Sequence, residues 1–177
     1  MRDARILPWL LADPARATQL RADQLAAVRT IAAAEGLADV LEARLAGAEL
    51  PIIAADPVVA LCDASARLLG GSDLGEGLCQ LWDIHALIVQ GQKQPDFWPD
   101  VRDCARAQSV TAHVSRALRL CHHLFETPVD AYLAWQGQRS DIFFIGRLLA
   151  RNGKGEETAR ILRGAFKLRA RWRMRRR

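Results

Sequence analysis

Four residues combine type and spacing that could do phosphate chemistry: Gly71 and Ser72, then, after ten intervening residues, Asp83 and His85. A Gly-Ser turn can cradle a triphosphate with backbone N–H groups. Two carboxylates one residue apart on a following strand then hold Mg²⁺ against the phosphates for nucleotidyl or phosphoryl transfer. The chain offers the turn and the first carboxylate, but His85 stands where the second is required, and hard Mg²⁺ prefers oxygen to imidazole. Such a set is at most a degenerate nucleotide site, with Gly71 and Ser72 toward the nucleotide, Asp83 and His85 toward catalysis, and Mg²⁺ as its one implied cofactor. It also demands a strand over residues 83 to 89. Residues 1 to 70 contain no Gly-Ser turn and no Asp-x-Asp or Asp-x-Glu pair that could replace it.

The remaining nucleophiles and ligands are scattered. Cys62, Cys79, Cys104 and Cys121 form no C-x-x-C pair, so buried free thiols are expected rather than a zinc site. His85 flanks an apolar stripe and reads as a surface or boundary residue, and His113 falls on the polar side of its helix. His122 and His123 sit beside Cys121, but adjacent residues on a helix point about 100° apart and do not converge on one ion.

Charge is unevenly placed. The net charge of +5 conceals residues 160 to 177, which hold nine basic residues and no acidic one, leaving sixteen basic against twenty acidic residues elsewhere. Arg169, Arg171, Trp172, Arg173, Arg175, Arg176 and Arg177 interleave guanidinium forks with an aromatic ring, a composition suited to RNA, DNA or another acidic surface. Binding of that kind is electrostatic and weakens with salt. A solvated terminus, or one that packs on the acidic body, is the competing expectation.

The elements that must position these residues read as helices. Ala, Leu and Arg dominate a chain of 177 residues, a helix-forming composition of single-domain length. Asp13-Pro14 and Asp56-Pro57 are each a cap followed by proline at the first helical position. The first opens a helix through Leu20, Leu25, Val28 and Ile31 to Gly36, with a shorter helix after it ending near Gly47. The second launches Val58 through Leu69. Leu74, Leu78, Leu81, Ile84, Leu87 and Ile88 recur at threes and fours, which is the helical period, so a helix is expected where the degenerate site needs a strand. Asp96, Phe97 and Trp98 enter the next. Ser109 is placed to cap a helix whose apolar face is Val110, Val114, Ala117, Leu118, Cys121, Leu124 and Phe125. An apolar run from Ile142 to Leu149 follows, and a last helix is expected near Glu156. Leu50-Pro51-Ile52-Ile53 is the one candidate strand, and Pro51 confines it to an edge.

Within this pattern, Leu81-Trp82-Asp83-Ile84, Trp98 to Ala107, Ala117-Leu118-Arg119-Leu120 and Leu124-Phe125-Glu126-Thr127-Pro128-Val129 occur in an order that resembles the C-terminal helical part of an uncharacterised nucleotidyltransferase family of the polymerase-β-like superfamily. The resemblance extends weakly to Asp56-Pro57 and into the basic end, about two thirds of the chain. It implies kinship with the helices that follow a catalytic sheet, without the Gly-Ser and Asp-x-Asp half, as in a shortened relative or truncated product.

The expectation is a mainly α protein, a compact bundle of about eight helices with at most one short strand near 50–54. It is divided into N-terminal helices at 1–50, a helical core at 56–150 and a basic helix or tail at 156–177. Its function is read as a noncatalytic scaffold or module that binds a protein partner. Polyanion binding through the arginines and a degenerate nucleotidyltransferase are the alternatives. No leader peptide and no run of about 18 apolar residues is present, so a cytoplasmic protein without a transmembrane segment is expected.

Overall fold

A computed structural model of the chain describes residues 3–49, 54–70, 74, 77–136 and 140–158. Gly71, Ser72, residues 50–53 of the candidate strand and the arginine-rich segment lie outside the described residues. Within them the protein is all α, with eight helices of seven residues or more and one isolated antiparallel bridge between Arg151 and Glu157.

The first helix, α1 (Ile6–Ala12), follows a 3₁₀ turn at Asp3–Arg5. Pro8 is tolerated because it lies in the first turn, where N–H groups lack helical partners, and Ile6, Leu7, Leu10 and Leu11 are buried. Asp13-Pro14 does act as a cap, with Asp13 Oδ1 accepting the Ala15 N–H at 3.1 Å. What it opens, however, is a 3₁₀ segment (Pro14–Gln19) that ends at Leu20, whose backbone is extended. The helix expected from this point begins afresh as α2 (Ala22–Ala34), and Gln24 Oε1 accepts the Arg21 N–H at its start. Gly36, at φ +71°, closes α2 where a side chain would strain the backbone, and α3 (Ala38–Leu45) ends before Gly47 at φ +80°.

Asp56 caps α4 (Pro57–Gly70) by accepting from Val58 and Val59. Next come α5 (Gly77–Gly91) and α6 (Phe97–Ala107). Ser109 is not the cap of the following helix. It sits at φ +59°, its N–H donates to Arg106 and the Val110 N–H to Ala105, so it closes α6 instead. α7 (Thr111–Phe125) then runs to Glu126, a second left-handed residue at φ 54°. Asp130 Oδ1 accepts the Leu133 N–H to start α8 (Ala131–Ala134), and α9 is Ile142–Leu148. Residues 156–158, where a helix is expected to begin, are not helical; the rest of the span in which it is expected lies outside the described residues.

These elements form two compact units. One draws on Met1–Glu49, Ser72–Cys79 and Ile142–Arg177, the other on Leu50–Gly71 and Gln80–Asp141. In the first, α1 and α3 pack on α2, and Val28, Ile31, Ala32, Leu37 and Leu41 are buried. In the second, α4 packs on both α6 and α7, and α8 packs on α7. The core there includes Leu61, Ile84, Ile88, Phe97, Val101, Leu118 and Phe125. Each fully buried Leu, Ile or Phe contributes about 1.5–3 kcal/mol relative to exposure.

Gly91 ends α5 under the ring of Phe97, which is 1% exposed. A Cβ at Gly91 would fall 2.1 Å from a Phe97 ring carbon. Alanine normally favours a helix over glycine by about 1 kcal/mol. Here Gly91→Ala is expected to destabilise by about 1–3 kcal/mol because a buried ring must move. Urea unfolding checks the sign, and a stabilised variant would refute the packing.

Candidate functional site

The two described residues of the set singled out by spacing do not converge. Asp83 and His85 both lie on α5, where positions two apart point about 200° from each other around the axis. Asp83 is exposed, and desolvation by neighbouring protein raises its carboxyl above the usual range. His85 is 7% exposed, buried rather than at the surface as its position beside the stripe suggests.

His85 is held by α7 and the turn after it. Its ring centroid is 4.7 Å from that of Trp82 and 5.4 Å from that of Phe125, and Trp82 meets Phe125 edge-on at 5.2 Å. Thr127 Oγ1 donates to the Cys121 carbonyl at 3.1 Å, which uses its single proton. The same oxygen therefore accepts from His85 Nδ1–H at 2.8 Å, and this fixes the proton on Nδ1. A magnesium site does not fit: one residue of the pair is built into an aromatic cluster and the other faces away from it.

The other histidines and the cysteines are more dispersed than their composition suggests. His122 and His123 are exposed with ring centroids 5.8 Å apart, and His122 Nδ1 lies 3.1 Å from the Thr127 carbonyl. His113 is half-buried. All four cysteines are free, with Cys62 and Cys121 buried and Cys79 and Cys104 half-buried. Among the described residues no group of three or more His, Cys, Asp or Glu is placed to hold a metal ion.

Among the described residues, a cluster of buried charge lies elsewhere. Eight consecutive residues of α7, Val114 to Cys121, are buried, and Arg116 and Arg119 are among them at 8% and 5% exposure. Asp141 meets both. Its Oδ1 accepts from Arg116 Nε at 2.9 Å and Arg119 Nη2 at 3.2 Å, and its Oδ2 from Arg119 Nε at 2.5 Å. Arg119 Nη1 also donates to the Ala134 carbonyl at 2.6 Å, which fastens the end of α8 to α7. Burial alone would raise the Asp141 carboxyl, but the hydrogen bonds from Arg119 and Arg116 outweigh it and hold the carboxyl below its ordinary range.

The other unit has a buried carboxylate of the opposite kind. Glu35 pairs with Arg151, whose Nη1 also donates to the Gly155 carbonyl at 2.9 Å, and Arg147 pairs with Glu157 at 3.2 Å. Here burial prevails over the Arg151 hydrogen bond and leaves Glu35 above the usual range. Both clusters pair charges that are buried or half-buried. Their sequence signal is faint: Arg116 and Arg119 are one turn apart within a run that is otherwise apolar or small, while Glu35 and Arg151 are 116 positions apart.

One surface feature is distinctive. Ile142 and Phe143 on α9 are 68% and 63% exposed, whereas Phe144 and Leu148 on the same helix are buried. The helix is apolar on both sides, and its inward face accounts for only half of that. Among the described residues no helix is long and apolar enough to cross a membrane.

Comparisons with protein-family models, curated proteins and solved structures find no match to this chain.

Asp141 supplies the pH test. A carboxyl held below its unfolded value contributes stability that is present at neutral pH and lost as pH falls through the folded value. Asp141→Asn is expected to cost about 3–5 kcal/mol at neutral pH, since it leaves two buried guanidinium groups without their carboxylate. The gap from the parent protein should narrow on acidification. A gap constant down to acid pH, in urea titrations of both proteins, would show that the carboxylate charge is not what stabilises the cluster.

Proposed function

We propose that the chain is a noncatalytic helical module that binds another protein chain through α9, related to the helical part of polymerase-β-like nucleotidyltransferases. The observation that carries this reading is the exposed pair Ile142 and Phe143 on a helix already anchored by Phe144 and Leu148. Neighbouring large apolar side chains at the surface of a rigid element favour protein contact, and such aromatic anchors supply much of the binding energy when covered. The kinship rests on the order in which Leu81 to Ile84, Trp98 to Ala107 and Ala117 to Leu120 occur in the sequence.

A photo-crosslinking residue placed at Phe143 is expected to capture one predominant protein in the producing cells. Phe143→Asp should weaken the purified pair by about tenfold or more in calorimetry. A crosslink between two copies would mean self-assembly through the same face. Unchanged affinity of Phe143→Asp, or Mg²⁺-dependent nucleotide transfer abolished by Asp83→Ala, would overturn the proposal.

A second reading rests on the nine basic and no acidic residues of positions 160–177. We infer a polyanion-binding end in which Arg169, Arg171, Arg173, Arg175, Arg176 and Arg177 pair with phosphates and Trp172 stacks on a base. Removing residues 166–177 is expected to abolish low-salt retention on RNA and DNA. Equal retention of the shortened and full chains, across a salt gradient, would dismiss this role.

A further inference from the structure

Cys62 on α4 and Cys104 on α6 are brought together by the packing of these two helices. Cys62 Sγ lies 3.9 Å from the carbonyl oxygen of Val101, one helical turn before Cys104, which places the two thiols near enough to influence each other's charge. The pair is asymmetric. Cys62 is fully buried, while Cys104 is half-buried and reaches solvent. The other two thiols point elsewhere, Cys121 Sγ toward the Leu81 carbonyl at 3.6 Å and Cys79 Sγ toward that of Gly36 at 3.8 Å.

We propose that Cys62 and Cys104 are a redox site, which hydrogen peroxide converts to a reversible disulfide that fastens α4 to α6. Thiols carried on facing turns of two helices already packed together need only a local approach to reach bonding distance, at little entropic cost. The asymmetry sets the order of events. Burial, together with the neighbouring Cys104 thiol, pushes the Cys62 thiol well above its ordinary range, so Cys62 is the poorer first nucleophile.

The Cys104 thiolate attacks one peroxide oxygen, the O–O bond breaks, and the departing hydroxide takes up a proton as water, leaving a sulfenic acid on Cys104. Cys62 sulfur then attacks the Cys104 sulfur. The S–O bond breaks, and the hydroxide leaves as a second water with the proton from Cys62. Two thiols are oxidised and one peroxide is reduced to two waters. The new bond closes the long loop between α4 and α6, which raises resistance to unfolding until a thiol reductant reopens it.

The test treats the full chain with dilute hydrogen peroxide under native conditions, blocks remaining thiols and maps peptides without reduction. The denatured thiol count is expected to fall from four to two, with the Cys62 and Cys104 peptides linked, and to return to four with dithiothreitol. The link should form about tenfold or more faster in folded than in urea-unfolded protein, since packing sets the effective concentration. In Cys62→Ala, Cys104 should accumulate as a dimedone-reactive sulfenic acid. Links to Cys79 or Cys121, links only between two molecules, equal rates in folded and unfolded chains, or a thiol count that stays at four would each overturn the proposal. The wild-type peptide map does not depend on how the variant folds.

Discussion

The second unit depends on one constraint, that α7 is surrounded. A helix with one buried face can keep its arginines in water. From Val114 to Cys121, α7 has no such face, so Arg116 and Arg119 are carried inside with the leucines. Two buried guanidinium groups require anionic and carbonyl partners, because the desolvation penalty of an unpaired charge exceeds what nearby apolar packing returns. Asp141 and the Ala134 carbonyl provide them. The position of Asp141 and the docking of α8 follow from that requirement.

The same logic explains why polar residues with apparent chemistry become structural. His85 lies within the aromatic contacts of Trp82 and Phe125, and its Nδ1–H is matched to Thr127, whose own proton is given to Cys121. Each link satisfies a polar atom that would otherwise be stranded in the core. The resulting chain joins the middle of α5 to the end of α7, so a residue that looks like an altered metal ligand serves as a brace between helices. Asp141 and Glu35 show the balance decided differently in two places. Hydrogen bonds from two arginines overcome burial at Asp141, whereas at Glu35 the one from Arg151, with the charge of Arg147 beside it, does not.

Much of the helical layout is legible in the amino acids. Asp56-Pro57 caps α4, Gly36 and Gly47 follow α2 and α3, and the threes and fours from Leu78 to Ile88 lie on α5, because these signals act within a turn or two of chain. Local signals mislead where two outcomes share one motif. Asp13-Pro14 starts a 3₁₀ segment rather than α2, and Ser109 closes α6 rather than capping α7; a cap specifies that backbone groups are satisfied, not how long the helix beyond it becomes. The apolar residues around Pro8 form α1, which their short span conceals.

The sequence by itself determined that this protein is built of helices, where most of them lie, and that its positive charge gathers at one end. Those properties depend on periodicity, caps and composition, which operate over a few residues. Only the tertiary structure decided that Arg116 and Arg119 are internal, that His85 is a brace, that Cys62 faces the helix carrying Cys104, and that Ile142 and Phe143 remain at the surface while Phe144 does not. Each of these depends on which sides of a helix other helices cover. An apolar stripe announces that some face is buried, but only packing between segments distant in sequence settles how many faces are.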